Sequence, residues 1–164
     1  MDKQQLTRLY QYFDIAHQVT QGALARLKDE ELDYQPTPEM LSTRALLHHM
    51  YGVEKILAES VRAGGYKAAI QCAADAELAT LTSIAATKNF GLNCHQILVD
   101  ALAETAESEL TTIIELPPGF FVASAPVWEF FAFAYHEHWH HRGQLTIYMR
   151  LLGKPVLDIY AYER

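Results

Sequence analysis

Wherever the apolar residues of this chain are patterned, they recur at three- and four-residue spacing, the period of an amphipathic helix; strands are not needed to explain any stretch. That restricts the fold to helices packed on helices. Leu6, Leu9, Tyr10, Phe13, Ile15, Ala16, Val19, Ala23 and Leu27 make one apolar stripe and predict a first helix over about residues 3–29. The segment DYQPTPEMLST (33–43) carries two prolines and ends in Ser-Thr, a loop that closes on a helix N-cap. A second helix then runs to Gly64-Gly65, a pair suited to a helix end.

Residues 66–92 are rich in helix formers but weakly patterned, and read as one short helix with loops. Asn93 is expected to cap a third long helix over 94–114, stopped by the breaker Pro117-Pro118-Gly119. Pro126 suits the first turn of a fourth long helix that runs to Gly153, and the last residues look like an extended tail lying on the bundle. Four long amphipathic helices imply an all-α four-helix bundle, one domain over residues 1–164.

Composition narrows the partners. With 50% hydrophobic and 20% charged residues the chain is too apolar for disorder, and 164 residues suffice for one core. Twenty acidic against 13 basic side chains, a formal charge of −7, argue against a nucleic-acid or anionic-membrane partner. The first residues lack the apolar run of a signal peptide, and no uninterrupted apolar stretch reaches the roughly 18 residues of a membrane span. A cytoplasmic protein is expected. Cys72 and Cys94 form no CxxC and are read as reduced thiols without a role.

The unusual count is eight histidines, six of them in LLHHM (46–50) and HEHWHH (136–141). Helical phase, about 100° per residue, selects among them. In the fourth helix Val127, Phe130, Phe133, Ala134, Leu145, Tyr148, Leu151 and Leu152 define a sector centred near His141, and Glu137 lies about 40° away on the same stripe. His136 and His140 sit at one edge of the stripe and His138 at the other. In the second helix the stripe centres on Leu46, Met50, Val53 and Leu57, which turns His49 inward and His48 toward Lys55 and Glu59. Two imidazoles and a carboxylate facing a bundle interior require partners. A divalent metal satisfies all three, and i,i+4 is a spacing at which one helix grips an ion; a hydrogen-bonded network in which Glu137 bridges the two imidazoles is the metal-free alternative.

The string His140-His141-Arg142-Gly143-Gln144-Leu145, followed by Tyr148-Met149-Arg150-Leu151-Leu152-Gly153, resembles the C-terminal helix signature of the DinB superfamily, and Leu46-Leu47-His48-His49-Met50 resembles its second-helix histidine motif. The resemblance implies a four-helix bundle, usually dimeric, holding nickel, zinc or iron through one second-helix histidine and an HxxxH pair. His49 and His141 match that pattern. Glu137 stands where the first histidine of HxxxH is expected, a replacement also found in a branch whose Trp-His-His-Arg-Gly-Gln string Trp139 to Gln144 resembles. The expected metal ligands are thus His49, Glu137 and His141, with His138 as the alternative to Glu137.

Gln144, about 60° from His141, is a candidate to hydrogen-bond a ligand from behind, and Glu54 a weaker one. Gly143 is read as allowing close approach of a neighbouring helix, and Arg142 as making an ion pair. Trp128, Tyr135 and Trp139 share one side of the helix, the candidate surface for a homodimer or the tail. The resemblance further implies a metal-dependent thiol S-transferase or hydrolase acting on a small molecule, such as a low-molecular-weight thiol. The competing expectations are a metal-binding protein without catalysis and a metal-free structural dimer.

Overall fold

The computed structural model describes residues 1–116 and 122–155. Four long helices make the bundle: α1 (Lys3–Leu24), α2 (Thr43–Arg62), α4 (Ile84–Glu104) and α5 (Val127–Leu151), with a short α3 (Ala68–Ala76) between α2 and α4. The fold is all-α, as the helical period implied. One small addition is a pair of three-residue strands, β1 (Ile113–Glu115) and β2 (Ser124–Pro126), paired antiparallel with Ile114 opposite Ala125. Their alternation buries Ile114 and Ala125 against the bundle and leaves Ile113 and Ser124 exposed.

Capping sets the helix starts. Asp2 accepts from the Gln5 backbone N–H at 2.7 Å while the Gln5 side chain accepts from Asp2 N–H at 3.1 Å, a reciprocal cap on α1. Ser42 accepts from Ala45 N–H, as the Ser-Thr ending of the loop predicted. Gly64 and Gly153 follow α2 and α5 at φ +66° and +69°, a conformation that disfavours side chains and ends both helices.

Four boundaries differ from the sequence reading. α1 stops at Leu24; Leu27, which seemed to extend its stripe, is buried from the turn that follows. The third long helix begins nine residues before Asn93, with Ser83 accepting from Ala86 N–H, and ends at Glu104 rather than near 114. Its buried side is Ile84, Thr87, Gly91, Cys94, Leu98 and Ala101, a mixture of small and polar residues that hides the period. Pro126 lies just before the first turn of α5 instead of within it. The Pro117-Pro118-Gly119 breaker and most of the expected tail lie outside the described residues; Lys154, just before them, pairs with Glu31 at 2.8 Å.

α2 is the central helix, packed most extensively on α4 and α5 and also against α3. Its buried set wraps much of its circumference, including Leu46, Leu47, His48, Tyr51, Glu54 and Ala58. The apolar core has two parts, one around Phe13, Leu98, Phe130 and Phe131, the other around Leu24, Leu46, Tyr51 and Met149. α4 packs tightly on α2 at Gly91: a Cβ there would lie 2.7 Å from the Tyr51 ring. Gly143, expected to serve such an approach, is exposed with nothing within 4 Å of its Cβ position.

Candidate metal site

His49, Glu137 and His141 converge, though not in the bundle interior. His141 is buried and its Nε2 lies 3.1 Å from Glu137 Oε2, one turn away on α5. His49 comes from α2; its Nε2 lies 4.0 Å from the same oxygen and its ring packs edge-on to that of His141, centroids 4.6 Å apart. The His49 side chain is 50% exposed and Glu137 22%, so the group sits at the edge of the bundle rather than on its axis. This corrects the helical phase assigned to α2. The buried neighbour is His48, which donates from Nε2 to the Ala74 carbonyl at 2.8 Å and stacks on Phe90.

The hydrogen bonds around His141 fix where its lone pair points. Gln144 Nε2 donates to His140 Nε2 at 3.3 Å, which turns Gln144 Oε1 toward His141 Nδ1 at 2.8 Å, where it accepts the Nδ1 proton. In the neutral ring His141 Nε2 therefore carries the lone pair, and it faces a carboxylate oxygen. Two acceptors 3.1 Å apart repel unless a cation stands between them, either a proton or a metal. Burial and the neighbouring His141 hold His49 below the usual histidine range, which keeps its ring neutral and able to ligate. The donor atoms of the three residues lie within 4.8 Å of one another, and a two-imidazole, one-carboxylate set suits zinc, nickel or iron. The residues fit a divalent metal.

A cleft of about 380 Å³ opens beside this group, lined by Glu39, Met40, Leu41, Leu46, Ile147 and Tyr148 together with His49, His141 and Gln144. Its size suits a small molecule. Tyr148 donates to the Leu41 carbonyl at 2.7 Å, which ties the loop before α2 to α5 and sets one wall. A second, apolar cavity between α5 and β2, lined by Leu57, Ala125, Trp128 and Phe133 among others, touches none of the three residues.

Two expected site residues lie elsewhere. His138, the alternative third ligand, and Glu54, expected behind the site, are both fully buried in the bundle interior, 3.1 Å apart. They belong to a second histidine–carboxylate group with His17 of α1 and His95 of α4. Sequence reasoning gave His17 and His95 no role because neither lies in a cluster. The available signal was spacing, since His17 follows Phe13 by one turn on the buried stripe of α1.

Arg142, expected in an ion pair, is buried without a carboxylate partner among the described residues; its guanidinium stacks 4.5 Å over the Trp139 ring, and burial alone lowers its pKa. Trp128, Tyr135 and Trp139 are half-buried against the molecule's own core. Among the described residues no helix is long and apolar enough to cross a membrane.

Comparison with known proteins agrees with this architecture. Two solved structures superimpose over nearly the whole chain: a DinB-like protein from Bacillus subtilis, TM-score 0.71 at 18% identity, covering 96% of this chain and 99% of that one, and a DinB-like protein from Bacillus cereus, TM-score 0.68 at 22% identity, covering 93% and 95%. At such identities the likeness speaks to the fold alone. No curated protein matches the chain. The family model described as "DinB family" matches residues 1–164, and the chain belongs to the DinB family.

Proposed function

We propose that this protein binds a divalent metal through His49, Glu137 and His141 and uses it on a small molecule held in the adjoining cleft, as a metal-dependent thiol S-transferase or hydrolase. The observation that carries the reading is the convergence of two imidazole nitrogens from different helices on one carboxylate oxygen, with Gln144 turning the His141 lone pair toward it. Three protein ligands leave coordination positions free, and the half-exposed His49 puts solvent on that side. When bound, the ion supplies Lewis acidity for thiol transfer or hydrolysis.

The chain's own residues shape what enters. Met40, Leu41, Leu46 and Ile147 offer apolar contact to a substrate's carbon skeleton, and Glu39 adds negative charge to the lining. We further propose a homodimer, supported by Ile147 and Leu151, exposed one turn apart on α5 near the exposed Gly143. Light scattering that gives a monomer mass would remove it.

The test is elemental analysis of tag-free protein, followed by assay of the metal-loaded form with small thiols and electrophiles. About one ion per chain held by this group, lost in His141→Ala and weakened at least tenfold in Glu137→Gln, is the expected result, since an amide is a poorer ligand than a carboxylate. Metal affinity unchanged in both variants overturns the assignment. Bound metal with no turnover on thiols or hydrolysable esters leaves a binding role and removes the catalytic one.

A further inference from the structure

The interior of the bundle holds a second set of metal-type donors. Glu54 of α2 has no exposed surface, and its two oxygens receive imidazole nitrogens from three other helices: His17 Nε2 at 2.8 and 3.0 Å, His95 Nδ1 at 3.1 Å and His138 Nδ1 at 3.1 Å. Phe13 packs on one side of these rings and Tyr51 on the other. Burial opposes the charge on Glu54, yet the three histidines outweigh it and hold the carboxyl well below its usual range. Burial pushes His17 down to about 4, so its ring is neutral at pH 7.

The outer partners of these rings decide what stands at the centre. His95 Nε2 donates to Asp14 at 2.8 Å. Thr20 Oγ1 donates to the Ala16 carbonyl at 2.8 Å and accepts from His138 Nε2 at 3.0 Å. With Nε2 donating outward on both rings, both Nδ1 atoms are aimed at Glu54. Carboxylate–histidine and hydroxyl–histidine pairs of this kind are the outer arrangement found behind metal-bound imidazoles. Tetrahedral metal bonds of about 2.0–2.2 Å place neighbouring donors about 3.3–3.6 Å apart, a few tenths of an ångström beyond the 2.8 to 3.1 Å by which the His17 and His138 nitrogens approach Glu54, and the donor atoms of His17, Glu54 and His138 all lie within 4.8 Å of one another.

We propose that His17, Glu54 and His138 form a second divalent-metal site, separate from the group at His49, with His95 held on Oε2 of the same carboxylate. Two imidazoles and one carboxylate favour a borderline transition-metal ion such as zinc, nickel or cobalt over magnesium or calcium. Binding moves the His17 proton from Nε2 to Nδ1, a buried nitrogen that has no hydrogen-bond partner among the described residues. The approach runs past Asp14, whose side chain is 54% exposed, and His95, at 12%. All three ligands are buried away from any substrate, so the ion here ties α1, α2 and α5 together.

The test strips tag-free protein with a chelator and titrates it with cobalt(II), reading stoichiometry by elemental analysis and coordination by the visible absorption of the ion. Wild type is expected to hold two ions per chain, His141→Ala one, and the double variant His141→Ala/His138→Gln none. The His141→Ala protein leaves the buried group intact, so its result does not depend on whether interior variants fold. No ion retained by folded His141→Ala overturns the second site. An ion retained by the double variant with unchanged affinity and spectrum overturns it too, by locating that ion elsewhere. One ion that survives His141→Ala and is lost on adding His138→Gln supports the buried site and removes the open one.

Discussion

Replacing Gly91 with alanine tests how tightly α2 and α4 are packed. The new Cβ would lie 2.7 Å from Cε2 and Cζ of Tyr51 and 2.9 Å from Cε1, where ordinary contact begins at 3.4 Å, so something must move by about 0.7 Å. The ring has little freedom to do so: Tyr51 is fully buried, the Gln21 side-chain amide donates to its hydroxyl at 3.4 Å, and the His17 and His138 rings stand 5.3 and 5.9 Å away. Overpacking of this kind costs about 1–3 kcal/mol, and the confinement of Tyr51 puts the cost toward the upper end. Alanine returns about 1 kcal/mol of helix propensity, leaving a net loss of about 2 kcal/mol. For a chain of this length that is a fall in Tm of roughly 4–8 °C. Gly143→Ala is the control, because the same atom added there meets nothing within 4 Å; it should raise Tm by roughly 2–4 °C. Thermal melts followed by far-UV circular dichroism, in chelator throughout, separate the two. A Gly91→Ala protein that melts at or above the parent would refute the packing argument. A Gly143→Ala protein that melts lower would show that this face is covered in the assembled protein.

His48→Ala should lose about 1–3 kcal/mol of stability, from the bond to Ala74 and the Phe90 stack, while leaving metal stoichiometry unchanged; equal loss of metal in His48→Ala and His49→Ala would contradict the phase of α2 described here. Hydrogen exchange in that variant should rise first in α3, whose buried residue is Ala74. A thiol reagent should modify one cysteine per native chain, since Cys72 is exposed while Cys94 is fully buried and burial pushes its thiol up; two equivalents reacting at the same rate without denaturant would show that α4 opens readily.

The bundle and three of its four long helices were readable from apolar spacing and from Ser, Pro and Gly punctuation. α4 was not, because its buried side carries Thr87, Gly91 and Cys94 where a periodicity argument looks for large apolar residues. The convergence of Glu137 with His141 followed from i,i+4 spacing, and the partnership of Gln144 from its i+3 position. The inward turn of His49 did not hold, since a single stripe is a poor description of a central helix buried against α3, α4 and α5 at once. The interior group was invisible for another reason. Its four members come from four helices, separated by 37 to 84 residues of chain where the contacts form, and no local pattern reports such a meeting.

That meeting also bears on how the chain finds one alignment. Apolar stripes repeating every three to four residues tolerate sliding, because a helix displaced by one turn, about 5.4 Å, still presents a greasy face to its neighbours. Glu54 does not tolerate it. Slipping α1, α4 or α5 by a turn would carry His17, His95 or His138 beyond hydrogen-bonding reach and strand ionic charge in a dry interior, a penalty of several kcal/mol for each mistaken stacking. The buried carboxylate thus acts as a vernier mark on the bundle: it discriminates among near-degenerate helix registers that hydrophobic burial alone leaves close in energy.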